Sequence, residues 1–300
     1  MTAQPFAGLG AGTQCDTTFK CGFYSYCKGD ELKPEYPVSW LPGFGKRRIF
    51  KVAEEVIDDL RNVPSELLNP QQLRVKTHTL TNTVFFDTEA AAATLAAYPL
   101  PLQFLDFETI WAGTRPNLQI PFQFSLHTVN DNGTICHAEF LDLSGGDPSE
   151  EFVISLLRLC GDERFPIFVY SHFEYSCIKG LAERFPTHRD ALLAINKRIV
   201  DLLPIVRSHY YHPSQHGSWS IKFVLPAIAP DLKYGDLEGV KDGRMAMAAY
   251  LEAILPRTCS ERKGDIRNQL LTYCKLDSYA MVRLWQVLSG RDLTLPNHDA

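Results

Sequence analysis

Two carboxylates one residue apart stand in the middle of an apolar run, LQFLDFETI (102–110). In a β-strand successive side chains alternate faces, so Asp106 and Glu108 project from the same side of one short patch. Like charges held that close in an apolar setting are costly unless something pairs them. A third acid has a similar setting late in the chain. In QLLTYCKLDSYAMVRLW (269–285), Leu270, Tyr273, Cys274, Asp277, Met281 and Leu284 recur at steps of three and four. That spacing puts Asp277 inside the apolar stripe of a helix, one turn after Tyr273. Carboxylates are rarely buried unpaired. Taken alone, Asp277 is explained as well by an inward-facing salt bridge or cap. Taken with Asp106 and Glu108, it makes an acidic pocket if the helix crosses the strand. Oxygen-only ligands suit Mg²⁺ or Mn²⁺. Two such ions about 3.5–4 Å apart hold the attacking and leaving oxygens of a phosphodiester in line. Tyr273 would hold the attacking water.

The remaining sequence must position these residues. Ile49, Val52, Ala53, Val56, Ile57 and Leu60 recur at helical spacing and predict an amphipathic helix. A second helix is expected over Thr88–Ala97, before Pro99 and Pro101 break the chain ahead of a strand at 102–109. IPFQFSLHTV (120–129) alternates, with Ile120, Phe122, Phe124 and Leu126 on one face and Gln123, Ser125 and His127 on the other. Asp131-Asn132-Gly133 supplies a turn into a third strand, TICHAEFLDL (134–143). SEEFVISLLRLC (149–160) reads as a helix with a serine N-cap, PIFVYS (166–171) as a short buried strand, and EYSCIKGLAERF (174–185) as a helix. After Pro186 the chain looks mainly helical, ending in a long helix over about 260–289. The order predicts an α/β fold: a mixed sheet flanked by helices, resembling an RNase H-like layout, with a small N-terminal helical extension.

Composition sets the outer bounds. With 45% hydrophobic and 22% charged residues over 300 positions, the chain can bury a sizeable core. A net charge of -5 gives no global basic field, so nucleic-acid binding would use local patches. Eight cysteines without regular pairing do not resemble a secreted disulfide scaffold. The N-terminus has neither a basic n-region nor an apolar h-region, and no apolar run reaches the ~20 residues that cross a bilayer. A cytoplasmic, bacterial protein that does not enter a membrane is the expectation.

Asp106-x-Glu108 and Tyr273-x-x-x-Asp277 resemble the first and third motifs of DnaQ-like 3′–5′ exonucleases, in the tyrosine-bearing subclass. The second motif of that superfamily is a strand, a short loop and an aspartate opening a helix. FVYSHFEYSCIKGLAERF (168–185) has this layout with Glu174 at the acidic position, and Asp201 in RIVDLLP is the other candidate for a fourth carboxylate. IPFQFSLH, VYSHFEYS, GSWSIKFVLP and YCKLD, in that order, also resemble an uncharacterised bacterial family of RNase H-like domains, over roughly Pro37 to Leu288. Its members commonly lie C-terminal to a RecB- or Cas4-like nuclease domain. The resemblance implies two Mg²⁺ or Mn²⁺ ions held by Asp106, Glu108, Glu174 and Asp277. It supplies no substrate; single-stranded DNA or RNA is the partner expected of such a site, and the family's domain order makes a RecB/Cas4-like nuclease a candidate partner.

Cys15, Cys21 and Cys27 have five residues between neighbours and resemble the C-terminal cysteine triplet of Cas4-like nucleases. A cluster or structural zinc normally wants four ligands, so no iron–sulfur cluster is expected in this chain alone. The expected division is a cysteine-containing remnant of an upstream Cas4/RecB-like nuclease at 1–35, a helical linker at 36–98, and the RNase H-like exonuclease domain at 99–300. Gly43-Phe44-Gly45-Lys46 is too short for a P-loop. Lys46, Arg47 and Arg48 read as a phosphate-contacting patch or a solvated face. Ser220 can cap a helix carrying Lys222 in its first turn, an arrangement suited to phosphate or simply a cap beside a surface lysine. His172 and His216 either reach the pocket mouth or are ordinary loop histidines.

Three functions compete on this evidence. The first is metal-dependent 3′–5′ exonuclease-like hydrolysis. The second is a catalytically inactive nucleic-acid-binding or scaffold module, which Glu174 and the acidic pI favour. The third is hydrolysis of free nucleotides or small phosphoesters.

Overall fold

In the computed structural model, which describes residues 34–43, 50–52, 55–111, 119–161, 164–232 and 234–291, the acidic strand Leu102–Trp111 (β1) is the middle of a five-stranded sheet. β2 (Gln119–Val129) pairs with it antiparallel, and β3 (Ile135–Leu141) pairs antiparallel with β2. On the other side β4 (Ile167–Val169) and β5 (Ile199–Asp201) add in parallel, giving the order β3-β2-β1-β4-β5. From Thr88 onward the helices in chain order are α1 (Thr88–Leu95), α2 (Ser149–Leu159), α3 (Phe173–Arg184), α4 (Arg189–Lys197), α5 (Leu202–His209), α6 (Ile221–Ile228), α7 (Gly243–Ala253) and α8 (Ser260–Ser289). No described helix is long and apolar enough to cross a membrane.

Alternation along β1 decides which core each side chain joins. Leu105 and Phe107 enter a cluster with Phe152 and Leu156 of α2 and Ile178 of α3. The intervening residues therefore face α8, where Phe104 packs edge-on against Trp285. α8 runs for 30 residues and ends at Gly290, whose φ of 68° is the left-handed conformation that favours glycine at a helix C-cap. Gln123 Nε2 donates to the Leu270 carbonyl of α8 at 2.8 Å, tying helix to sheet.

The expected single apolar face of β2 is not what forms. Glu108 pairs with Gln123 but Thr109 pairs with Pro121, so Phe122 is an extra residue at a bulge. One inserted residue breaks the period of two. Phe122 accordingly stacks on Tyr250 of α7, with centroids 4.0 Å apart, while Phe124 meets Phe152 of α2 on the opposite face. Pro121 has no N–H to give the ladder and suits the irregularity.

One smaller expectation also changes. Helix α2 begins at Ser149, but the residue before it, Pro148, is the N-cap and makes no side-chain cap bond. Asp147 instead accepts from the Ser149 amide at 3.1 Å. The helix expected over Thr88–Ala97 is α1, with Asp87 as its N-cap accepting from the Ala90 amide.

The described residues up to Phe85, with Tyr211–Ser218, form a separate compact unit; Phe86–Tyr210 and the described chain from Trp219 form the unit above. In the smaller unit the helix expected from Ile49 to Leu60 is replaced by an antiparallel hairpin, Phe50–Val52 with Glu55–Ile57. Short apolar runs do not separate helix from strand by period alone, and Val52, Val56 and Ile57 are β-branched residues that favour strand. The helix Pro70–Thr81 follows, with Asn69 and Gln72 forming a capping box. Cys15, Cys21, Cys27 and Lys46–Arg48 lie outside the described residues.

Candidate active site

β1 carries Asp106 and Glu108 to the face covered by α8, and α8 brings Tyr273 and Asp277 to the same place. One carboxylate oxygen from each of Asp106, Glu108 and Asp277 lies within 4.8 Å of the others. Glu174, in the first turn of α3, lines the same cavity of about 200 Å³. It is 3% exposed and hydrogen-bonded to the Phe107 backbone, and its Oε2 has no partner among the described residues. Asp201 is occupied elsewhere: its Oδ1 accepts from the Ser171 amide at 3.0 Å and the Leu203 amide at 2.9 Å, capping α5. Of the two candidates for a fourth acid, Glu174 is the one at the cavity.

Two tyrosines grip Asp277. Tyr273 hydrogen-bonds to it, and Tyr234, from the short turn Tyr234–Asp236, donates to Oδ1. The Tyr273 hydroxyl in turn accepts from Lys222 Nζ at 3.1 Å, and Cys274 Sγ lies 3.5 Å from Asp106 Oδ2. Ser220 is the N-cap of α6 without a side-chain cap bond, contrary to the expected serine cap. Lys222 does reach the cavity. His172 precedes α3 and stacks on Tyr175, and His216, in the other unit, stacks on Trp40.

The acids resist carrying their charge. Burial, reinforced by Asp277, Glu174 and Glu108, holds the Asp106 carboxyl well above the usual carboxylate range. Burial and then the Asp277 charge push Glu108 up to about 8, with Lys222 opposing. Glu174 also rises to about 8 through burial, its backbone hydrogen bonds opposing. Burial raises Asp277, while the hydroxyls of Tyr234 and Tyr273 stabilise its ionised form.

This donor set fits a hard divalent cation. All the ligands are carboxylate oxygens, and around one octahedral Mg²⁺ neighbouring oxygens stand about 3 Å apart and opposite ones about 4 Å, so the three would draw together on binding. Glu174 Oε2 is the kind of buried, unsatisfied acceptor that a cation or its water would complete.

Residues 103–220 match a family described as a domain of unknown function (DUF2779). The matched span contains Asp106, Glu108, Glu174 and Asp201 and stops before Lys222, Tyr234, Tyr273 and Asp277. No curated protein and no solved structure matches the chain. Tyr234 had no signal in the sequence: it sits in the three-residue turn Tyr234–Asp236, too short for a period to mark an inward-facing residue.

Proposed function

We propose that the protein is a metal-dependent phosphodiesterase of RNase H-like, DnaQ-like type, acting as a 3′–5′ exonuclease on single-stranded DNA or RNA. The observation that carries this reading is the convergence of Asp106, Glu108 and Asp277 oxygens within 4.8 Å beside an orphaned Glu174 oxygen. Three antiparallel strands continued by two parallel ones agree with the layout the resemblance implies.

In this reading Asp106, Glu108 and Asp277 hold Mg²⁺ or Mn²⁺, and Glu174 completes the site directly or through water. A cation held there would supply charge neutralisation at the phosphate and a more nucleophilic water. Tyr273 orients that water. Its hydroxyl accepts from Lys222 and bonds to Asp277, which leaves one lone pair to accept a water proton. Burial and the surrounding acids raise its hydroxyl far above the ordinary tyrosine range, so it positions water without removing its proton.

Glu174 also favours a second reading, because a glutamate is longer than the aspartate of the resembled motif. In that reading the fold binds nucleic acid without cleaving it. Incubating a 5′-labelled single-stranded oligonucleotide with Mg²⁺ or Mn²⁺ separates the two. Stepwise shortening is expected with the wild-type protein and a loss of about 10²–10³-fold in Asp106→Ala, the scale of removing a key transition-state interaction. Equal activity in both proteins refutes the assignment, and binding without shortening selects the second reading.

A further inference from the structure

Among the described residues lining the acidic cavity, Lys222 alone is cationic. Its position is tightly defined. Nζ donates to the Lys241 carbonyl and to the Tyr273 hydroxyl, each at 3.1 Å, and stands 5.4 and 5.1 Å from the ring centroids of Tyr234 and Tyr273. Those distances are within cation–π range. Both acceptors are neutral, so its charge acts on the acids through space. The Tyr273 hydroxyl that holds it also bonds to Asp277, so the ammonium stands beside that acid. The three clustered oxygens fit around one ion, and Glu174 stands outside that group of three with an oxygen unpartnered. Positive charge thus already occupies the Tyr273–Asp277 side of the cavity.

We propose that Lys222 is a fixed cation of this site: its ammonium takes the place of a second divalent ion on the Tyr273–Asp277 side, so the protein holds one divalent ion tightly. The inference rests on the metal-site reading above. It makes a prediction of unusual sign, because removing a residue of the site should improve metal binding by removing like-charge repulsion.

The test is a Mn²⁺ titration of the full chain, followed by the electron paramagnetic resonance signal of free Mn²⁺. Wild type is expected to take up one ion. Lys222→Met, and Lys222→Gln, which keeps a donor for the Lys241 carbonyl, should bind the first ion about tenfold more tightly and take up a second. Tenfold corresponds to about 1.4 kcal/mol of repulsion relieved. Lys222→Arg should behave as wild type, and circular dichroism checks that each variant is folded. Two ions of similar affinity in wild type, or unchanged or weaker binding in both neutral variants, overturn the proposal. Asp106→Asn separates the two levels. If it binds as wild type does, or if wild type binds no ion, the metal-site reading falls and takes this inference with it. If Asp106 is required and wild type holds two ions, only the role of Lys222 falls.

Discussion

The Tyr234 hydroxyl donates to Asp277 Oδ1, joining a three-residue turn to the middle of a 30-residue helix. With Tyr273 on the same carboxylate, this bond fixes which way Asp277 faces. Partners behind a metal ligand typically contribute 10–100-fold in affinity. Tyr234→Phe is therefore expected to weaken Mn²⁺ binding by about tenfold while keeping the aromatic packing. Calorimetric titration checks it, and unchanged affinity would mean that Tyr273 alone orients the acid.

The raised acids make stability depend on pH in a definite direction. Glu108 and Glu174 move from an ordinary 4.5 to about 8 on folding, so between those values the folded state binds more protons than the unfolded one. Their stabilising contribution is full below about 4.5 and is lost as pH rises toward about 8. In the presence of a chelator the melting temperature should fall across that interval. Saturating Mn²⁺ should raise it most at the alkaline end, where the acids are ionised and ligand binding favours the folded state. A chelated protein whose melting temperature climbs from pH 5 to pH 8 would contradict this.

Much of the positioning was legible because it follows from period. Alternation put Asp106 and Glu108 on one face of β1, and steps of three and four put Asp277 on the buried side of α8. Three failures have local causes. The bulge at Phe122 is one residue of backbone geometry that a period of two cannot encode. The segment from Ile49 had helical spacing in β-branched residues, and strand pairing prevailed. Tyr234 belongs to a loop whose course is set by its anchors, so its meeting with Asp277 is a tertiary fact.

Glu174 and Asp201 should separate cleanly by mutation. Glu174→Gln removes a buried carboxylate whose Oε2 is unpartnered, and is expected to raise the melting temperature of chelated protein near pH 8 while weakening Mn²⁺ binding. Asp201→Ala removes the acceptor for the Ser171 and Leu203 amides, and should destabilise by about 1–2 kcal/mol, as a lost helix cap does. Its effect on Mn²⁺ affinity should be small. Denaturant melts and titrations of the two variants decide the assignment, and the reverse pattern would make Asp201 the fourth acid.

The bulge has an energetic signature of its own. Phe122 is fully buried against Tyr250, so Phe122→Ala should cost about 3–5 kcal/mol in urea unfolding. A loss below about 1 kcal/mol would show that the Phe122 side chain does not pack in that core.

The most direct measurement is anomalous diffraction from crystals soaked in Mn²⁺. A peak touching oxygens of Asp106, Glu108 and Asp277 together is the predicted result. Ordered carboxylates with no peak among them, at Mn²⁺ concentrations that fill other sites on the protein, would contradict the account.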